Sequence, residues 1–290
     1  MRTLAIIGAG GHLGGSIARA ALARGADPAA LTLGSRSPAR LGEYTARGAR
    51  VVRADYDDPD SLRSALAGVD RALLIPSGAP PASRVAQLDS ALDAARAAGV
   101  GHVLTTTLIG TAVENPFTVM PYLVYAESAL RTSGLRWTIL RDAMYADPLG
   151  DWLPDIVAMG RIPYPTGAGR AAYAVKDDLA AAVAGALVGE GYEDRVYHLT
   201  GPRALSTADL HDIVARVTGA EVVYRPADDA DYLAASPGTP AAFVTLYHAV
   251  REGFADVVTD HIAVLSGRQP ESLEEYLQRR WAARAGEGDR

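Results

Sequence analysis

The opening run TLAIIGAGGHLGGSIARAAL, residues 3–22, constrains the fold more than any other stretch of the chain. Apolar Leu4, Ala5, Ile6 and Ile7 run directly into Gly8, Gly10, Gly11 and Gly14, and a helical pattern follows at Ile17, Ala18, Ala21 and Leu22. A buried strand, a glycine turn and a helix N-terminus together form a cradle for a diphosphate. The spacing is not the ordinary G-x-G-x-x-G, because Leu13 stands where that pattern needs a glycine; Gly8, Gly11 and Gly14 make G-x-x-G-x-x-G instead. The first glycine permits the tight turn, the second lets backbone approach a diphosphate, and the third lets the helix pack close to the sheet. The absence of GKS or GKT excludes a nucleoside-triphosphatase phosphate loop. The plain alternative is a glycine turn with no ligand.

Further elements alternate along the chain. Strands are expected at 31–33, 50–53, 71–75, 102–106 and 136–140, and helical patterns around 38–47, 83–98 and 121–133. Asp58 or Asp60 is placed to cap the helix carrying Leu62, Ala65 and Leu66. The alternation predicts an α/β fold, a Rossmann-like doubly wound parallel sheet with a smaller C-terminal α/β substrate-binding part. Residues 1–150 are read as the dinucleotide-binding domain. Residues 151–290 are read as a mixed region, with a cleft-lining loop, returning Rossmann elements at about 171–200, and the smaller substrate domain. The Gly- and Pro-rich stretch 146–175 reads as irregular, and a strand is expected at 221–224.

The end of the second strand reports on the cofactor. A carboxylate there would bond a free adenosine ribose, but the chain reads Gly34-Ser35-Arg36-Ser37. Arg36 can pair with a 2′-phosphate and Ser35 can donate to it, which favours NADP(H) over NAD(H). The alternative is a solvent-facing arginine that begins the next helix. Asp55, after strand three, is expected on the adenine side of the cleft or as the cap of the next turn. Pro76 and Ser77 should pass near the cofactor ribose. Thr106 and Thr107 are expected after strand five, at the carboxyl edge where open sheets bind ligands. Arg141-Asp142 reads as an ion pair or loop anchor at the end of strand six.

These segments carry a family likeness. The chain resembles the NmrA-like, atypical short-chain dehydrogenase/reductase family, and within it the type 2 NAD(P)H:quinone oxidoreductases. The matching segments are Ile7 with GAGGHLG, SRSPAR at 35–40, RADYDDPDSLRSALAGVD at 53–70, LTTTLIG at 104–110, ESALRTSGLRWTILRDAMYAD at 127–147, KDDLAAAVAGAL at 176–187 and YHLTGPRALSTADL at 197–210. The resemblance implies an NADPH-binding domain beneath a small C-terminal one. It puts Gly8, Gly11, His12, Leu13 and Gly14 on the diphosphate, Arg36 on the 2′-phosphate, Thr107 at a hydroxyl position after strand five, and Tyr145 on the substrate side.

The chain also departs from its relatives. Short-chain reductases of the main type use Tyr-x-x-x-Lys, yet Ala126 and Ala129 stand four residues after Tyr122 and Tyr125. Ser128 stands where many quinone-reductase relatives keep a lysine, and Lys176 is the one lysine of the chain. Hydride transfer to a quinone or similar electron-poor acceptor survives this loss, because the cofactor supplies the difficult step and the protein aligns the partners. Tyr145 is the candidate to orient or protonate an acceptor oxygen, against a role as a packed aromatic. A non-catalytic NADP(H)-binding redox sensor is the alternative of a different class. Reduction of a carbonyl or imine intermediate in specialised metabolism is a further one.

Composition excludes several chemistries. With no cysteine, thiolate catalysis, disulfides and cysteine-bound metals are out. The six histidines form no H-E-x-x-H and no G-x-S-x-G elbow occurs, so no metal site and no hydrolase are expected, and no flavin is required. A net charge of -6 argues against a nucleic-acid partner. No leader precedes the first strand and no apolar run approaches the roughly 18 residues of a membrane helix, so a cytoplasmic protein without a membrane partner is expected. A homodimer would be ordinary for a soluble enzyme, though no sequence face singles one out.

Overall fold

Leu4, Ala5, Ile6 and Ile7 are all buried, as a strand needs when helices cover both faces of its sheet. In the computed structural model, which describes residues 2–288, they form β1 (Leu4–Ile7), an interior strand of a seven-stranded parallel sheet. The last two residues of the expected C-terminal part, 289 and 290, lie outside the described residues. α1 (His12–Ala23) buries Gly14, Ile17, Ala18 and Ala21, a stripe at helical spacing. β2 (Leu31–Ser35) follows, then α2 (Gly42–Ala46), then β3 (Arg50–Arg53), an edge strand exposed at both terminal arginines. The helical pattern at 38–47 divides into a 3-10 turn, Pro38–Leu41, and the short α2. Asp58 caps α3 (Pro59–Leu66) by accepting the Ser61 N–H, and Leu62, Ala65 and Leu66 are its buried face.

β4 (Arg71–Leu74), α4 (Pro81–Ala97), β5 (His102–Leu108), α5 (Met120–Arg131) and β6 (Arg136–Asp142) complete the regular alternation. The chain then leaves the main sheet for β7 (Met144–Tyr145), α6 (Asp147–Met159) and β8 (Arg170–Ala174). It returns through α7 (Lys176–Val188) to β9 (Arg195–Leu199), which pairs in parallel with β6. The strand order is β3-β2-β1-β4-β5-β6-β9. The direction of winding therefore reverses between β1 and β4, and the crevice outside their carboxyl ends is the ligand position of such sheets.

Successive side chains of each strand enter opposite cores. Ile6, Leu73, Leu104 and Leu140 join the core shared with α1 and α7, while Ile7, Leu74, Val103 and Ile139 join the core under α3, α4 and α5. A smaller sheet, β10-β8-β7, holds β10 (Ala204–Ser206). The C-terminal helices are α8 (Thr207–Thr218), α9 (Asp229–Ala235), α10 (Val244–Arg251), α11 (His261–Ser266) and α12 (Leu273–Gly288).

Two expectations about this region are corrected. The stretch 146–175 is irregular only at 160–169, between α6 and β8: α6 buries Leu149, Leu153 and Ile156 at helical spacing, and it contains Pro154 at an exposed position. No strand forms at 221–224, because the segment finds no neighbouring strand. A single backbone bond, from the Val223 N–H to the Gly160 carbonyl (2.9 Å), ties it to the end of α6, and Val223 and Tyr224 stay exposed.

Candidate functional site

The carboxyl ends of β1 to β6 bring the expected residues to one edge of the sheet. Gly8 takes φ +100°, which admits the turn out of β1. A Cβ on Gly14 would overlap the Gly8 carbonyl oxygen and lie 2.9 Å from the Ala9 Cα, so α1 starts pressed against the end of β1. Gly11 is the N-cap of α1, no side chain caps the helix, and its first turn holds no acidic residue. The first-turn N–H groups of His12, Leu13 and Gly14 thus have no acceptor within the helix and suit an anion. His12 is exposed, while Leu13 is half-buried against the core. Helix, strand and glycines together fit a dinucleotide diphosphate.

Gly10 belongs to the same cradle, though the G-x-x-G-x-x-G spacing leaves it out. A Cβ there would overlap the Ser35 hydroxyl. Ser35 is buried and its Oγ accepts the Ser37 N–H (3.1 Å), so this side chain supports both loops. Arg36 is exposed beside it, and makes no ion pair or side-chain hydrogen bond among the described residues.

Asp55 builds its own turn. Its carboxylate accepts the Asp57 N–H (3.3 Å) and pairs with Arg53 (3.1 Å). At the end of β4, after Pro76, the Ser77 hydroxyl donates to Gln87 Oε1 (2.5 Å), and Gln87 Nε2 donates to Asp57 (2.8 Å). The loops after β3 and β4 are thereby tied through one glutamine of α4.

Thr106 and Thr107 lie within β5 rather than after it, because β5 runs on to Leu108 in register with β6. The Thr107 hydroxyl is spent in the core, donating to Glu127 Oε1 (3.0 Å). Glu127 also accepts Arg141 Nε (2.8 Å) and Nη2 (2.7 Å), and Arg131 Nη2 (3.2 Å). Arg141 thus forms a buried ion pair, with Glu127 of α5 and not with the neighbouring Asp142. Alternation along β6 sends Arg141 toward α5 and Asp142 to the opposite face.

There Asp142 meets Tyr145, whose hydroxyl donates to Asp142 Oδ2 (2.9 Å). Burial pushes the Asp142 carboxyl up to about 7, although the Tyr145 bond acts the other way. Burial first, and the Asp142 charge second, push the Tyr145 hydroxyl well above its ordinary value. Both residues line a cavity of about 480 Å³ at the ends of β5 and β6, roofed by α10. Tyr164, Tyr173, Tyr232 and Tyr247 supply much of its wall. Tyr164 stacks on Tyr247 with ring centroids 4.7 Å apart. Among the described residues the lining holds no arginine, lysine or histidine, and Asp142 is its one carboxylate. The sequence reading named Asp142 only with Arg141, as an ion pair or loop anchor, and not as a site residue. Its signal was a carboxylate at the carboxyl end of a strand, the edge where open sheets bind ligands.

Other candidates lie apart. Tyr125 is exposed on α5 and donates to Asp89 (2.6 Å). Lys176 pairs with Asp147 (3.3 Å). No group of three or more potential metal ligands occurs among the described residues, and no helix there is long and apolar enough to cross a membrane.

A family model described as NAD(P)H-binding matches residues 8–187. Quinone oxidoreductase 2 of Escherichia coli is 31% identical over 259 residues, covering 89% of this chain and 86% of the relative. The solved NADPH complex of an Escherichia coli NADPH-dependent quinone oxidoreductase superposes with a TM-score of 0.89 at 28% identity, covering 96% of this chain and 99% of the other. Citrobacter triphenylmethane reductase, solved with NADP(H), gives 0.88 at 26% identity, with the same coverage. The glycine cradle at the end of β1 and the likeness across nearly the whole chain lead to one assignment: the chain belongs to the NAD(P)H-binding, NmrA-like family related to bacterial quinone oxidoreductases.

Proposed function

We propose that this NAD(P)H-dependent oxidoreductase transfers a hydride from NADPH to a neutral, planar, electron-poor acceptor of the quinone type. The observation that carries the reading is the aromatic cavity at the same sheet edge as the glycine cradle, with Tyr145 as its polar anchor. When bound, the reduced nicotinamide supplies the hydride. The protein's own part is to hold and orient. Gly8, Gly11 and Gly14, with the first turn of α1, take the diphosphate; Arg36 takes the 2′-phosphate. The tyrosine walls keep water from the acceptor, and the Tyr145 hydroxyl fixes its oxygen. A flat apolar acceptor suits this lining, and an anionic one would meet no cation in it.

The test is acceptor-dependent loss of reduced-nicotinamide absorbance, with purified protein, NADPH and a panel of quinones. Many turnovers per protein molecule support the reading. Tight NADPH binding with no turnover across the panel would instead make the protein a redox sensor. The cofactor preference is tested separately. Arg36→Ala is expected to weaken NADPH binding about 10- to 150-fold, the loss of a charge-assisted contact worth roughly 1.5–3 kcal/mol, and to leave NADH binding unchanged. Equal losses for both cofactors would remove Arg36 from the phosphate site.

A further inference from the structure

Tyr145 by itself is a poor proton source: it is half-buried, and its hydroxyl is held well above its ordinary pKa. The group behind it is the opposite case. Asp142 is 2% exposed, with Oδ2 taken by Tyr145 and Oδ1 without a partner. A carboxylate left with a bare buried oxygen and no cation is costly, whereas a neutral carboxyl is not. Among the described residues the cavity lining holds no cation, and Asp147, the other carboxylate whose charge acts on Tyr145, lies outside that lining. Arg141 is on the other face of β6 with Glu127, and Lys176 is with Asp147. The remaining titratable groups sharing the cavity are the uncharged Tyr164, Tyr173, Tyr232 and Tyr247.

We propose that Asp142 resupplies the Tyr145 hydroxyl with the proton that completes reduction of the acceptor. The inference rests on the hydride-transfer reading above. The acceptor takes up a hydride, with its electron pair, from the reduced nicotinamide, and its oxygen becomes anionic. The Tyr145 O–H bond breaks as that oxygen gains the proton. With the Tyr145 proton turned toward the acceptor, the hydrogen bond to Asp142 runs the other way: the neutral carboxyl donates to the Tyr145 oxygen and passes its proton to it, and the Asp142 carboxylate recovers a proton from water once the site opens. Asp142 is a positioning residue in this scheme, since it touches Tyr145 and not the acceptor. A carboxyl that titrates near neutrality is matched to this task, and a tyrosine alone is not.

The sign of the pH dependence follows. The working form is the neutral acid, so turnover should be level below about pH 7 and fall as pH rises through it, about tenfold per unit. Asp142→Asn keeps the shape and an acceptor for Tyr145, but carries no acid proton. With a quinone turned over by the wild type, this variant should lose about 10- to 100-fold in kcat at pH 6. Its remaining turnover should not show the alkaline fall, and its affinity for NADPH and its melting temperature should be kept. Infrared titration of the protein without substrate gives a reading independent of turnover. A neutral-carboxyl carbonyl band should fade with a midpoint near 7 in the wild type and be missing in Asp142→Asn. Tyr145→Phe should keep that band and lose turnover. The proposal is overturned if Asp142→Asn keeps both wild-type kcat and the alkaline limb, or if no neutral-carboxyl band survives above pH 5. A wild type that binds NADPH and turns over no acceptor overturns the underlying reading, and the proposal goes with it.

Discussion

Glu127→Ala is expected to lower the stability of the protein by about 3–5 kcal/mol, the range for removing one partner of a buried charge pair. Glu127 is 5% exposed and receives Arg141 through two parallel bonds, with Arg131 and Thr107 completing its shell. Without it, Arg141 is left as an unpaired cation beneath α5, and the Thr107 hydroxyl loses its acceptor. Whole domains are stable by only about 5–15 kcal/mol, so the loss should be plain in a urea unfolding curve. A double replacement, Glu127→Leu with Arg141→Met, should recover much of it, because apolar residues of similar size carry no desolvation penalty. If Glu127→Ala shifts stability by less than about 1 kcal/mol, solvent reaches the pair and the bidentate contact is not what joins α5 to β6.

The second large effect separates two adjacent glycines. Gly14→Ala would put a methyl against the backbone of Gly8 and Ala9, atoms that cannot turn aside. The start of α1 must then move off the end of β1, at a cost of about 1–3 kcal/mol. If that distortion falls on the cradle, NADPH binding weakens by roughly 5- to 150-fold. A Cβ on Gly15 meets nothing closer than the Ala9 carbonyl at 3.7 Å. Gly15→Ala, inside α1, should therefore leave binding intact and raise stability by about 0.4–1 kcal/mol. Fluorescence titration with NADPH checks both. Equal affinities in the two variants would show that close contact between helix and strand does not shape the site.

The contrast shows what could be read from the chain. The strand, turn and helix at 4–23 were legible because three signals coincide there: a buried run, glycines at fixed offsets and a helical stripe. The parallel sheet was legible because the alternation repeats. α6 was hidden by Pro154, which sits on its exposed face, since a proline ordinarily ends a helix. The false strand at 221–224 looked right locally, and only the lack of a neighbouring strand excludes it. Thr107 shows the other limit. Strand alternation continues to Leu108, two residues past the expected end, and so turns the Thr107 hydroxyl into the core beside Glu127. Asp142 escaped for a related reason. In the chain it stands next to an arginine, yet strand alternation parts the two, and only the fold shows that nothing neutralises it.

The pairing of β9 with β6 has a consequence for how such a protein changes over time. Met144, Tyr145, Tyr164 and Tyr173 of the cavity all come from the excursion between those two strands, whereas the glycine cradle comes from the first strand and helix. Both ends of the excursion are fastened into one sheet. Its contents can therefore be exchanged by mutation or recombination while the glycine cradle is inherited unaltered. A lineage with this architecture can acquire new acceptors without relearning how to hold its reductant.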